Sequence, residues 1–528
     1  MNGIIYGDQN IFLPSHGNFG RYLLDNILKF KDKIALINGA SDEKITFIEL
    51  AQRAVNFTSY LKEQGVKQND VVALCSENRI EFMVTVIAVF SSGATLACIN
   101  NTYSDDEITH SLDIAKPKYI VLSPVTHQKY DKIIKSRKDI EKIIVFENTK
   151  NTDIINFDDI VSKRNVDVNT YKHVDLKGGT ALILYSSGTT GLAKGAKITH
   201  TNLITSAQQP LPSTRDLSTI FVAPWSSTMG LICSLREIVK GKTIAFLSRF
   251  NERHYLNAIQ KYKIAILTVA PPVVVILCKS TIAKEYDISS VEIIHCGGAP
   301  LNKSVITELK SKYPHIKYLV QGYGMTEATG SITAETEDEF KEGSVGKIVP
   351  GNIIKIVDVE TRKILGPGQT GEVCVKGAAQ FDGYIGKDSK DEFDEDGFYK
   401  TGDIAYYDED GYFYVVDRIK ELIKYKAWQV PPSELEDLLL QHPAVKDAAV
   451  SALPDVLAGE LPIAFIVKQP NAKVTERDVV EFIDKKVSPW KRLRGGVIFV
   501  QEIPRTSSGK IIRRKLREML PKLPASKL

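Results

Sequence analysis

The sequence predicts an α/β protein: a long first part built on parallel sheets, followed by two smaller units of different texture. Three observations carry this. Short apolar runs alternate with helical patterns as far as about residue 340. Beyond that point, Asn352–Asp358 and Gly371–Lys376 alternate apolar and polar residues around the turn Gly366-Pro367-Gly368. From about Leu422 a compact mixture of helix and strand patterns begins.

The elements follow in order. Leu50, Ala54, Phe57 and Leu61 share one helical face, and Val71–Leu74 follows as an apolar strand. Phe82–Ile99 contains no charge, but Ser91-Ser92-Gly93 interrupts it. It reads as a buried helix entering a buried strand rather than as a membrane span. Further strands are expected at Tyr119–Leu122, Ile143–Phe146, Ala181–Tyr185, Ile220–Ala223, Thr243–Leu247, Ile264–Val269, Val291–His295 and Tyr318–Val320. Pro271-Pro272 divides the apolar stretch Ala265–Cys278 into a strand and a following segment. Asp408-Glu409-Asp410-Gly411 marks a hairpin within Ile404–Val416, so this region reads as a small antiparallel sheet or barrel. The last unit is α+β: a helix Glu434–Gln441, strands Ala448–Ala452, Ile463–Val467 and Val497–Val500, a helix Glu476–Lys486, and a basic terminal helix Lys510–Leu520. The resulting division is 1–417, a connection at 418–421, and 422–528.

Composition narrows the function classes. The chain has 528 residues, 43% hydrophobic and 25% charged, with a net charge of +4. So even a balance gives no reason to expect nucleic-acid binding. Six scattered cysteines form no CxxC pair, which suits free thiols in a reducing compartment. Nine histidines form no ligand spacing, so no metal site built by the protein alone is expected. The N-terminus MNGIIYGDQN lacks the pattern of a secretory signal. Ser526-Lys527-Leu528 reads as a peroxisomal address, implying an import receptor as partner.

Four stretches carry chemistry. YSSGTTGLAKG (185–195) follows a strand and precedes an expected helix, Thr201–Gln209. Its glycines let backbone N–H groups approach phosphate oxygens, its hydroxyls add donors, and Lys194 adds a cation. It lacks the Gly-Lys-Ser/Thr ending of a P-loop. The others are QGYGMTE (321–327), YKTGD (399–403) leading to DRIK (417–420), and PRTSSGK (504–510). Each alone reads as a turn, a solvated hairpin or a helix start.

Together and in this order, they resemble the adenylate-forming superfamily over nearly the whole chain. The similarity is greatest to the branch of acyl-CoA synthetases, 4-coumarate–CoA ligases and beetle luciferases. The resemblance implies two α/β sheets and a small barrel in the large part, with the C-terminal domain as a mobile lid hinged at Lys420. It implies ATP, Mg²⁺ and CoA as cofactors and a fatty or aryl carboxylic acid as substrate. It also implies activation of that acid as an acyl-adenylate, then a thioester with CoA. A luciferase, which oxidises its adenylate with O₂, is the alternative.

The resemblance assigns roles residue by residue. Ser186, Ser187, Gly188, Thr189, Thr190, Gly191 and Lys194 would cradle the phosphates. Thr326 would contact the α-phosphate, and Glu327 would hold Mg²⁺. Gly298, Ala299, Gly322 and Tyr323 would flank adenine. Asp403 would accept the ribose hydroxyls with Arg418 in support, and Lys424 and Gln429 would touch AMP. Lys510 would bridge the attacking carboxylate and the α-phosphate. Trp225, Ser227, Met229, Gly324 and Met325 are expected to line the acid's pocket. The sequence departs from the family pattern at Ala193, where proline is usual, at Ser227, where many relatives carry histidine, and at Ala427, where glycine is usual. A monomer or weak homodimer is expected.

Overall fold

The computed structural model describes the chain except residues 1–2, 147–153, 170, 172–173, 177, 187–192, 300, 302, 427, 456, 507–508 and 521–528. Within these residues the expected parallel sheets are two. A seven-stranded sheet runs in the order Lys194–Thr199, Thr180–Ser186, Thr95–Ile99, Val71–Cys75, Tyr119–Leu122, Lys142–Val145 and Ile155–Asn156. A nine-stranded sheet has Tyr318–Met325, Ile293–Gly297, Ile266–Val269, Thr219–Phe221, Ile244–Phe246 and Ile34–Asn38 as its parallel centre. These strands read as apolar runs because helices cover both faces.

Helix Phe47–Glu63 shows why the local pattern holds. Thr46 and Glu49 cap it reciprocally. Leu50, Ala54, Phe57 and Leu61 are all fully buried. Burying each of the larger three stabilises the fold by about 1.5–3 kcal/mol. The uncharged stretch from Phe82 is a helix, Ile80–Ser92, that ends at Gly93 in the left-handed region (φ 83°) and turns into Thr95–Ile99. No described helix is long and apolar enough to cross a membrane.

The small antiparallel sheet has the order Ile4–Tyr6, Asn352–Val357, Gly371–Gly377, Tyr399–Tyr407 and Phe413–Arg418. Its first strand comes from the far N-terminus, a pairing of high sequence separation that no local pattern announces. The remaining strands, from Ile423 onward, form a separate sheet. Gly459–Lys468 lies between Ile423–Tyr425 and Val445–Asp455 and also pairs in parallel with Val497–Phe499.

Three element expectations are corrected. A strand, Lys194–Thr199, comes between the glycine-rich loop and the helix, which is His200–Gln208. Its alternation buries Ala196 and Ile198, and it pairs antiparallel with Thr180–Ser186. The strand at Tyr318 does not end at Val320 but runs on through Met325. There Gly297 pairs with Gly322 on one side, and Ser331 and Thr333 pair with Gly324 and Tyr323 on the other. The terminal helix begins at Arg513, not at Lys510. Thr506 and Lys510 close a tight turn first: the Thr506 N–H donates to the Lys510 carbonyl at 2.8 Å, and the Lys510 N–H donates to Thr506 Oγ1 at 3.1 Å.

Candidate active site

The site is assembled where the strand Tyr318–Met325 meets the small antiparallel sheet and the C-terminal unit. Its floor is bare backbone. Gly322 lies in register with Gly297, and Gly298 follows with φ 87°. A Cβ at Gly298 would have only Met229 Sδ nearby, at 3.8 Å. The chain has left side chains out here and kept a flat, open face, with half-buried Ala299 next to it. Gly324 is bare for a different reason: a Cβ would stand 2.1 Å from the Gly330 carbonyl oxygen.

At one end of this face Asp403 is 4% exposed. Tyr323 donates its hydroxyl to Asp403 Oδ2 at 2.7 Å, and Arg418 Nε lies 2.8 Å from Oδ1. Hairpin register makes this possible, because Asp403 and Arg418 are directly paired across Tyr399–Tyr407 and Phe413–Arg418. The Asp403 charge raises the Arg418 pKa, and burial followed by that same charge holds the Tyr323 hydroxyl well above its usual range.

At the other end, Thr326–Ala328 is a single 3₁₀ turn. Thr326 Oγ1 and Thr228 Oγ1 are 2.6 Å apart. Glu327 is 4% exposed and accepts the Tyr384 hydroxyl on Oε1 at 2.6 Å. Tyr384 in turn meets the Tyr399 hydroxyl at 3.2 Å. Lys194 begins its strand opposite Ser186, so the two ends of the glycine-rich loop are adjacent. Its Nζ lies 4.7 Å from the centre of the Tyr384 ring and 3.3 Å from Glu392 Oε1. Ser187, Gly188, Thr189, Thr190 and Gly191 lie outside the described residues.

Lys510 arrives from the C-terminal unit. Gly509 (φ 86°) packs so closely that a Cβ would be 2.8 Å from Pro272. Lys510 is exposed to water, yet protein surrounds its ammonium. Its pKa is lowered, first by that desolvation and second by Arg418, against opposing pulls from Asp403, Glu327 and Glu421. One cation thus stands among the three carboxylates, with none within 4 Å among the described residues.

The remaining expected residues separate. Met229 and Met325 are half-buried beside this face, and Met229 touches the Gly298 position. Trp225 corrects the expectation: it is fully buried, donates Nε1–H to Ser234 Oγ at 2.9 Å, and packs against Phe82 and Phe246. It belongs to the core, where its N–H and ring are both satisfied by buried partners. Ser227 is the N-cap of helix Thr228–Val239: its Oγ accepts from the Gly230 N–H at 3.2 Å and donates to the Pro224 carbonyl at 2.7 Å. Lys424 and Gln429 are exposed and paired across their own hairpin, and no described hydrogen bond joins them to Asp403. Lys420 is exposed in the turn where Leu422 N–H returns to the Arg418 carbonyl. Ala427 lies outside the described residues.

Sequence reasoning missed Tyr384, Glu392 and Arg236. The aromatic-rich stretch around Phe381 and Tyr384 carries no motif, and only contact across the fold gives these residues a role.

Comparison with known proteins places the chain in a family. A profile of AMP-binding enzymes matches residues 24–385, and one of the AMP-binding enzyme C-terminal domain matches residues 434–510. A luciferin 4-monooxygenase from Photuris pensylvanica is 36% identical over 98% of both chains. The peroxisomal OPC-8:0-CoA ligase 1 of Arabidopsis thaliana is 36% identical over 92% of this chain and 90% of its own. The crystal structure of ATP-bound MatB from Rhodopseudomonas palustris superposes with a TM-score of 0.85 at 28% identity, covering 95% of this chain and 98% of the other. The chain therefore belongs to the AMP-binding enzymes, the adenylate-forming superfamily that includes acyl-CoA ligases and luciferases.

Proposed function

We propose that the protein activates a fatty or aryl carboxylic acid with ATP, releasing pyrophosphate, and then passes the acyl group to CoA. The observation that carries this reading is that Lys510, on the C-terminal unit, lies within electrostatic reach of Arg418, Asp403 and Glu327 on the large part. A carboxylate needs an oxygen made into a leaving group before a thiol can displace it. Attack on the α-phosphate supplies one, and the protein's task is alignment and charge neutralisation.

In this reading the bare face at Gly298, Ala299 and Gly322 takes the adenine, with Tyr323 at its edge. Asp403 uses its remaining lone pairs for the ribose hydroxyls, while Arg418 and Tyr323 hold it in place. Ser186, the residues 187–191 and Lys194 grip the leaving pyrophosphate. Lys510 holds the attacking carboxylate and the α-phosphate oxygen together, a task that suits a compact charge on a flexible stem. Thr326 adds a donor to the α-phosphate.

The donor set at Glu327 fits Mg²⁺: one carboxylate, engaged by Tyr384 at only one oxygen, beside the Thr326 and Thr228 hydroxyls. A hard cation that keeps water and phosphate oxygens as its other ligands needs no more from the protein. When bound it neutralises phosphate charge as the pyrophosphate leaves. We read residues 1–417 as the adenylation domain and 422–528 as a lid turning about Lys420, which withdraws Lys510 after the first step and lets CoA approach. Ser526-Lys527-Leu528, together with the peroxisomal relative, supports action in the peroxisome.

The luciferin 4-monooxygenase relative supports a second reading, in which the adenylate reacts with O₂. A carboxylic-acid panel with ATP and Mg²⁺, scored for pyrophosphate release with and without CoA and for light with luciferin, separates the two. CoA-dependent AMP release without light is expected. Light with luciferin and no thioester would reverse the assignment.

A further inference from the structure

A second lysine stands beside Lys194, and the reaction described above does not use it. Lys387 follows a short stretch that pairs with the start of strand Lys194–Thr199. The Asp382 N–H donates to the Lys197 carbonyl at 2.8 Å, the Lys197 N–H to the Gly383 carbonyl at 2.9 Å, and the Ile385 N–H to the Gly195 carbonyl at 2.9 Å. Ala196 and Tyr384 are bridged in the same antiparallel sense. Each step forward from Asp382 is therefore a step back along the strand, toward Lys194. Gly386 then turns the chain, with φ 68° and nothing within 4 Å of where a Cβ would be. Ser389 Oγ accepts the Tyr384 N–H at 3.2 Å and closes the turn.

The two ammoniums converge on one atom. Lys194 Nζ lies 3.3 Å and Lys387 Nζ 2.5 Å from Glu392 Oε1. Both also stand off the same ring, 4.7 and 5.8 Å from the centre of Tyr384, whose hydroxyl donates to Glu327. An ammonium has three donors, and the described hydrogen bonds use one on each lysine, both toward Glu392. Burial opposes the Glu392 charge, yet Lys387 and then Lys194 hold its pKa below the usual range. Asp391 adds only a weaker pull on Lys387. The Glu392 side chain is 24% exposed, against 31% for Lys194 and 48% for Lys387, so solvent reaches the cations more readily than the carboxylate that gathers them.

Stability gives little reason for this arrangement. Exposed ion pairs contribute little, and two like charges crowded on one oxygen repel each other. A ligand with several adjacent anionic oxygens would satisfy both lysines better than one carboxylate does, and the lysines would meet it as point charges on flexible stems.

We propose that Lys387 is a second cation for the β- and γ-phosphates of ATP, working beside Lys194, and that Glu392 holds the place of those phosphates until they displace it. This rests on the phosphate-binding role given to Lys194 in the function proposed above. Lys387 acts only through the two outer phosphates, so AMP does not feel it.

The test is calorimetric titration of the full chain with ATP and Mg²⁺ and, separately, with AMP, in the absence of any acid. Lys387→Met is expected to weaken ATP binding about fivefold and to leave AMP binding within about twofold, as loss of one partly solvated charge contact does. Lys387→Arg should recover most of the ATP affinity. Glu392→Gln removes the competing carboxylate and should tighten ATP binding by about two- to fivefold. Opposite signs are the distinguishing result: if the three residues only braced their loop, both variants would break the same ion pair and weaken ATP binding together. AMP binding reports whether each variant is folded, and the sign at Glu392→Gln decides if Lys387→Met is not. Unchanged ATP affinity in Lys387→Met, equal losses for ATP and AMP, or weaker ATP binding in Glu392→Gln overturns this inference alone. A wild-type chain that binds neither nucleotide overturns it together with the proposed function.

Discussion

Two lysines approach the candidate site from opposite sides, and they are held in opposite ways. Lys194 starts a strand of the seven-stranded sheet, pairs with Glu392 and lies over the Tyr384 ring. Its place is fixed by the large part of the molecule. Lys510 rides on a turn of the C-terminal unit, has no carboxylate within ion-pair distance among the described residues, and has its pKa lowered by desolvation of its ammonium and by Arg418. A group so poorly compensated gains most from an anionic ligand between it and Arg418. Under the proposed function, the contrast becomes a division of labour: a permanent grip on one side, and on the other a removable cation whose docking substrate would reinforce.

The largest effect should come from the removable side. Lys510→Met is expected to slow acyl-adenylate formation by about 10²–10³-fold, as loss of one preorganised charge does, followed by acid-dependent pyrophosphate release. Lys194→Met should cost less, because the loop residues 186–191 share its task. An increase of roughly 10-fold in KM for ATP, with a smaller change in kcat, is expected from initial rates. Equal losses in the two variants would erase the distinction.

A pH experiment sharpens it. Lys510 must be protonated to hold two anionic oxygens, and its pKa lies below the ordinary 10.5. Adenylation should therefore fall as pH rises through that lowered value. Arg418→Gln removes the second cause of the lowering, so the alkaline limb of the rate profile should move to higher pH. A limb that stays put or moves down would place the titrating group elsewhere. The smallest effect is expected at Glu392→Gln. Loss of a partly exposed ion pair releases Lys194 and should change KM for ATP by only about two- to fivefold.

Much of this site was legible in the sequence because its chemistry sits in local stretches. Gly322 to Glu327, Asp403, Arg418 and Lys510 are each surrounded by residues that fix a turn or strand end. What was not legible depends on contacts between distant segments. Tyr384 touches Glu327 only because the small sheet folds back on the large part. Trp225 is expected as pocket lining, but its indole packs inward between Phe82 and Phe246, just before the helix start at Ser227. Arg236 and Glu237 are the two charges in a helix whose other residues are uncharged, and such a pair reads as solvent-facing until Ser206, Gln209 and Ser331 are seen around Arg236. In the fold, the parallel strands followed from apolar runs. Lys194–Thr199 was missed because its two lysines and one glycine mask a period-2 pattern.

The central claim is that Lys510 serves the first half-reaction and leaves the second alone. The most direct measurement gives the Lys510→Met enzyme a preformed acyl-adenylate and CoA, and compares thioester formation with adenylation from acid and ATP. The account predicts a thioester rate close to wild type alongside the large loss in adenylation. An equal loss in both half-reactions, or adenylation at the wild-type rate, would contradict it.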